Sequence, residues 1–227
     1  MSENPAIAII GGTGAEGSGL AVRWAVAGYP VIIGSRDAER AATQAAALNE
    51  ALAAREGAAT IEGTANDEAA RRGEIVVLTV PYKAHAATLG GLTEVLQGKT
   101  LIDCTVPLQP PKVMRVQLPE AGSAAQEAQA LLGEGVQVVS AFQNVSAHKL
   151  RDLDADPDCD VLVSGNEPDT RERVIGLIEA IGMRGIHAGR LENAAAAEAL
   201  TSVLIVINKR YGAHGAGIRI TNLPGDD

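Results

Sequence analysis

The sequence predicts an α/β fold, a doubly wound parallel sheet with a small C-terminal α/β extension, on three observations. Short β-branched runs alternate with longer Ala-rich stretches of helical period from the start of the chain, the pattern of parallel strands joined by crossover helices. Several of those runs are apolar without alternation, as in strands covered on both faces. A glycine-rich turn follows the first run and opens a helical stretch, the place where such sheets bind phosphates.

The elements follow in order. Strands are expected at 6–10, 31–34, 59–63, 75–80, 100–104 and 136–141, with helices near 18–28, 38–54, 66–72, 84–97 and 123–133. Residues 106–119 hold prolines at 107, 110, 111 and 119, which remove donors and restrict their predecessors, so a long loop is expected there, a candidate lid or pocket wall. Beyond about 145 the chain reads as strands at 160–164 and 185–188 with helices near 169–182 and 192–211. That tail is expected to extend the sheet rather than form a separate bundle. The division by role is 1–145 for the nucleotide and 146–227 as a small substrate and dimerisation region.

The turn after the first strand, Gly11-Gly12-Thr13-Gly14-Ala15-Glu16-Gly17, contains G-x-G-x-x-G as Gly12, Gly14 and Gly17. The first glycine makes the turn, the second lets backbone approach a pyrophosphate and the third lets helix and strand pack, with the phosphate at the helix N-terminus. In this strand–turn–helix context the motif is a Rossmann-type dinucleotide fingerprint, and Gly12 through Gly17 are candidate cofactor-binding residues. Thr13 either donates to a phosphate oxygen or satisfies the turn. A carboxylate about 20 residues on would select NAD, yet the second strand ends Ile33-Gly34-Ser35-Arg36. Ser35, Arg36 and Arg40 form a local cationic pocket suited to a 2′-phosphate, with Asp37 expected to cap the following helix. NADP(H) is therefore the expected nucleotide.

Ligands in such sheets sit at the carboxyl ends of the strands. This adds the strand ends with Thr79, Val80 and Pro81, with Val106 and Pro107, and with Ala141, Phe142, Gln143 and Asn144, as candidate cofactor and substrate contacts. Phe142 reads as core more readily than as a stacking surface. His85 is expected at a surface, and no acid–base pair stands at motif spacing, so no catalytic side chain is assigned. The acidic run Asp152, Asp154, Asp156, Asp158, Asp160 fails the calcium-loop spacing, because Val161 falls where a glycine is needed; a solvated turn is expected, with no metal site.

Composition narrows the classes. A net charge of −9 and an aromatic content of 2% disfavour nucleic acid and anionic membranes as partners. Cys104 and Cys159 without a CxxC pair read as free thiols of a reducing compartment. The start lacks a basic leader, and the apolar run 203–207 is far shorter than a span; a cytoplasmic protein is expected. The helix near 192–211 is apolar nearly all round, which suits a dimer interface or a central helix.

Together these residues resemble the NADPH-dependent reductases of the 8-hydroxy-5-deazaflavin coenzyme F-420 (F420). The resemblance spans nearly the whole chain and rests on Ile10-Gly11-Gly12-Thr13-Gly14, Gly34-Ser35-Arg36, Leu78-Thr79-Val80-Pro81, Val138 to Ala141, Asp160 to Gly165, Glu198 to Thr201, Asn208 to Tyr211 and Gly217 to Arg219. It implies that Thr13, Ser35, Arg36 and Arg40 hold NADP phosphates, that Thr79–Pro81 runs toward the nicotinamide, and that a deazaflavin stacks on it as hydride acceptor. Where archaeal members carry His and then Thr, this chain has Gln143 and Asn144. The alternatives are a reductase of another small acceptor (imine, keto acid, flavin or ferric ion) and a non-catalytic NADPH sensor.

Overall fold

The computed structural model describes residues 4–224. Six parallel strands form its first part: β1 (Ile7–Ile10), β2 (Val31–Ser35), β3 (Ile61–Ala65), β4 (Ile75–Leu78), β5 (Thr100–Asp103) and β6 (Gln137–Ser140). Two more, β7 (Asp160–Gly165) and β8 (Arg184–Gly189), complete one eight-stranded sheet of order β3-β2-β1-β4-β5-β6-β7-β8. The order reverses between β1 and β4, the doubly wound arrangement with its switch point at those two strands. β7 runs antiparallel to β6 and β8 parallel to β7, so the tail extends the sheet past residue 145, as expected.

Helices cover both faces. One apolar cluster joins Ile7, Ile9, Val77 and Ile102 to helices α1 (Ala15–Val26) and α8 (Pro168–Glu179). The other joins Ala8, Ile10, Leu78 and Leu101 to α3 (Asn66–Arg72), α4 (Tyr82–Gly90), α5 (Thr93–Leu96) and α6 (Ala124–Leu132). Helix α2 (Ala38–Leu52) packs on β3 at the sheet edge. With strands β1, β2 and β4 buried throughout, their uninterrupted apolar sequence is what a sheet packed on both faces requires.

Local chemistry explains the departures from expectation. The single helix expected at 84–97 is two, because Gly90-Gly91 breaks it. Helix α1 begins at Ala15, with Gly14 at its N-cap. β3 lies two residues further on than expected, as an edge strand whose half-exposed residues give little pattern. The short α7 (Ala147–Arg151) had no periodic signal. It is held by Arg23 of α1, whose guanidinium donates to the carbonyls of Leu150, Lys149, Asp152 and Ala155 at 2.6–3.1 Å. Residues 106–119 form no helix or strand.

The acidic turn is solvated at Asp152, Asp154, Asp156 and Asp158, but Asp160 is buried. Its carboxylate accepts two bonds from Arg184, at 2.9 and 2.7 Å, and one from the Ile220 N–H. This holds the tail against β7 and depresses the Asp160 carboxyl below its ordinary value in spite of burial. Both cysteines are free and buried. The last helix, α9 (Ala194–Tyr211), follows a 3-10 turn at Leu191–Asn193 and ends on Gly212, whose φ is +65°. By length and composition Leu191–Tyr211 could cross a membrane. Here it lies against α6 and β7 with Glu198 and Ser202 turned inward, and Val203, Val206, Ile207 and Tyr211 exposed.

Candidate active site

The glycine turn closes over the switch point. Gly11 takes the left-handed conformation, φ +80°, and so makes the turn itself; Gly12 serves packing instead, since a Cβ there would stand 2.7 Å from Ile33. At Gly17 a Cβ would meet the Thr79 hydroxyl at 2.6 Å and the Gly12 Cα at 2.7 Å. This third glycine lets α1 sit directly on the ends of β1 and β4. Gly14 and Ala15 are exposed and no side chain caps α1. The first N–H groups of a 12-residue helix are thus open to a diphosphate. Thr13 lies half-exposed in the same turn.

Thr79 donates its hydroxyl to the Ile10 carbonyl at 3.0 Å, tying the two strand ends together where the order reverses. Val80 packs beneath Gly11, and Pro81 starts α4. At the end of β2, the Ser35 hydroxyl accepts from the Asp37 N–H at 3.2 Å, and the Asp37 carboxylate accepts from the Arg40 N–H at 3.2 Å. Asp37 is the helix cap, as expected. Arg36 and Arg40 are exposed, and none of the ion pairs among the described residues engages either. A pocket of about 370 Å³ opens beside Arg36, lined by Ser35, Arg36, Asn66, Ala84, Thr88 and Leu92. Asn66, which gave no sequence signal, holds a buried Oδ1 with no partner among the described residues.

The expected substrate wall divides. Val106 is half-buried and Pro107 buried behind it, while Ala141 is fully buried at the end of β6. Phe142 offers no stacking face. It is 1% exposed, with its ring edge-on to Trp24 at 5.8 Å, so its assignment to substrate gives way to the core role. Its positive φ of 75° turns the side chain inward.

Gln143 and Asn144, placed at a rim by the sequence, are buried and serve first as brackets. Gln143 Nε2 donates to the Asp103 carbonyl at 2.7 Å, and Asn144 Nδ2 donates to the Ala197 carbonyl at 2.8 Å and to Thr201 Oγ1 at 3.2 Å. The Thr201 hydroxyl in turn donates to the Gln143 carbonyl at 2.8 Å. Both residues also border a cleft of about 310 Å³ shared with His148, Thr201, Asn208 and His214.

The largest correction concerns His85. It is 1% exposed, and its Nε2 stands 2.7 Å from the carboxylate of the fully buried Asp103 at the end of β5. The other Asp103 oxygen accepts from the Thr105 N–H at 2.9 Å. Bonding to Asp103 holds the imidazole above its ordinary pKa against the opposing effect of burial. Glu198 of α9 is buried close by, its two oxygens accepting from the Ala124 and Ala125 N–H groups at 2.7 and 3.1 Å at the start of α6. Burial pushes it up to about 8, with Asp103 adding to the rise and the two N–H groups opposing it. Glu16, in the first turn of α1, is likewise pushed up to about 8 by burial and then by Asp103.

Sequence reasoning missed Asp103, His85 and Glu198. The one available signal was a carboxylate closing the strand Thr100-Leu101-Ile102-Asp103, 18 residues after a histidine.

Comparison with known proteins places this geometry. Residues 6–107 match the family model described as NADP oxidoreductase coenzyme F420-dependent. The F420-dependent NADP reductase of Methanothermobacter marburgensis is 43% identical over 223 residues, covering 96% of this chain and 99% of that protein. The enzyme of the same name from Methanocaldococcus jannaschii is 44% identical over 221 residues, covering 96% and 98%. Among solved structures, a candidate F420-dependent NADP reductase from Arthrobacter sp. FB24 superposes with a TM-score of 0.78 at 25% identity, covering 95% of this chain and 99% of that one.

Proposed function

Because the chain belongs to the coenzyme F420-dependent NADP oxidoreductase family, we infer that it is an oxidoreductase moving hydride between NADP(H) and the deazaflavin F420. Bound together, the two coenzymes supply the hydride chemistry themselves; the protein supplies placement and exclusion of water. The observation that carries the nucleotide choice is the pair of exposed guanidiniums at the end of β2, Arg36 lining the pocket and Arg40 in the first turn of α2, neither in an ion pair among the described residues. Of the carboxylates there, Asp37 is committed to capping α2 and Asp67 faces Arg71 at 3.6 Å. Gly12 through Gly17 would cradle the diphosphate, with Ser35, Arg36 and Arg40 on the 2′-phosphate and Thr79, Val80 and Pro81 along the path to the nicotinamide. Ala141 closes the floor.

Val106, Pro107, Gln143 and Asn144 would border the acceptor. Residues 1–145 serve the nucleotide, and 146–227 complete the acceptor cleft and the assembly. We assign the exposed apolar stripe of α9, Val203, Val206, Ile207 and Tyr211, to a homodimer contact. Sedimentation showing a monomer at micromolar concentration would remove that assignment. The protein acts in the cytoplasm on small molecules, without membrane or nucleic acid.

The test mixes purified protein with NADPH and oxidised F420 and follows the loss of the deazaflavin visible band, with NADH in parallel. Bleaching with NADPH and little with NADH is expected. NADPH binding without bleaching would turn the reading to another acceptor or to a sensor.

A further inference from the structure

Asp103, the last residue of β5, holds three other segments at once. One carboxylate oxygen meets His85 Nε2 of α4 at 2.7 Å, and the other accepts at 2.9 Å from the N–H of Thr105, in the loop that leads to Val106 and Pro107. Its main-chain carbonyl accepts from Gln143 Nε2 at 2.7 Å and from the Ala141 N–H at 3.3 Å, both at the end of β6. His85 lies one helical turn beyond Pro81, where α4 leaves β4. The bonds thus run from the strand end assigned to the nicotinamide, through His85 and Asp103, to both sides of the acceptor wall.

Asp103 and His85 are 0% and 1% exposed, and a buried polar pair of this kind adds little stability over apolar side chains of the same volume. What a fully bonded buried pair does add is one fixed arrangement of the segments that carry it. Here those segments are the ones that flank a ligand. Asp103 pairs with Leu78 at the end of β4, the carboxyl end at which such sheets hold ligands, and Gln143 lines the cleft of about 310 Å³ shared with Thr201.

We propose that His85 and Asp103 are positioning residues for hydride transfer: His85, acting through Asp103, sets the spacing between the nicotinamide path and the acceptor wall. The proposal rests on the NADP(H) and F420 reading above. Neither side chain has to touch a coenzyme. Hydride transfer needs the two rings in near-contact, and a misplacement of about 1 Å costs on the order of 100-fold in rate. Without the His85 bond, Asp103 keeps Thr105 and Gln143 but loses its tie to α4. The acceptor wall is then free to shift against the nicotinamide, while the phosphate cradle, built on the ends of β1 and β2, is left intact.

The test is a single turnover: the whole protein loaded with NADPH is mixed rapidly with saturating oxidised F420 and the loss of the deazaflavin band is timed, with NADPH affinity read separately by fluorescence titration. His85→Ala is expected to slow hydride transfer by about tenfold or more and to leave NADPH affinity within about twofold. His85→Gln, whose amide can donate to the same oxygen, is expected to recover most of the rate. A role in stability alone would not separate rate from affinity in this way. Should His85→Ala fail to fold, the double variant His85→Leu/Asp103→Asn, which buries no charge and keeps an acceptor for the Thr105 N–H, is expected to show the same slowing. Transfer at the wild-type rate in the variant lacking the bond, a loss of NADPH affinity as large as the loss of rate, or no recovery in His85→Gln would each overturn the proposal and leave the F420 reading standing. NADPH-loaded wild-type protein that does not bleach F420 would overturn that reading, and the proposal with it.

Discussion

The nucleotide cradle and the buried acidic cluster occupy the same edge of one sheet and are built in opposite ways. In the cradle the groups that meet a ligand are main-chain N–H groups at the start of α1 and the exposed guanidiniums of Arg36 and Arg40, all within 30 residues of chain. In the cluster the groups face one another: His85 and Asp103 come from neighbouring elements, and Glu198 crosses 74 positions to reach Ala124. The first region is open and works by geometry and charge in water, where the energetics of a single contact are modest. The second is buried, where an unpaired charge costs far more, so each carboxyl must be bonded, shared or protonated.

That contrast can be broken at the cradle most forcefully through Gly17. Gly17→Ala would drive a Cβ to 2.6 Å from Thr79 Oγ1 and 2.7 Å from Gly12 Cα. Prising α1 off the switch point should cost about 1–3 kcal/mol of stability and abolish nucleotide binding. Wild-type NADPH affinity in this variant, read by fluorescence titration, would show that the close approach is not needed.

A milder break is Arg36→Glu, which should weaken NADPH by about 10- to 100-fold, the worth of a charge-assisted bond, and leave NADH nearly unchanged. Equal losses for both nucleotides would move the 2′-phosphate site away from the end of β2.

The smallest effect sharpens the other side. Glu198 has a folded-state pKa raised to about 8 from 4.5, so the folded protein binds its proton more tightly than the unfolded chain does. Its stabilising contribution is full below about pH 4.5 and is lost as the pH climbs through 8. Glu198→Gln cannot ionise, and should lose less stability than the wild type between pH 5 and pH 8. Urea unfolding at the two pH values measures the difference; parallel declines would mean that Glu198 stays ionised on the α6 N–H groups throughout.

The same division runs through what could be read in advance. The strands, the glycine turn, the Asp37 cap and the proline-broken loop were legible because each depends on residues adjacent in the chain. His85 was not: a histidine in a short helix carries no mark of the partner that buries it. Gln143 and Asn144 were placed correctly at a strand end, yet their main bonds go to Asp103 and α9, which no local pattern records. Phe142 followed the core reading once Trp24 was brought against it from α1.

By itself, then, the sequence determined the alternation of strand and helix, the phosphate turn and the basic pair that follows β2, since backbone propensity and short-range capping are properties of contiguous residues. Only the tertiary structure decided that β7 turns antiparallel, that α9 inserts a carboxylate beneath α6, and that Asp103 meets His85 out of reach of water. Those outcomes turn on desolvation and long-range pairing, whose free energies exist only once distant segments have packed together.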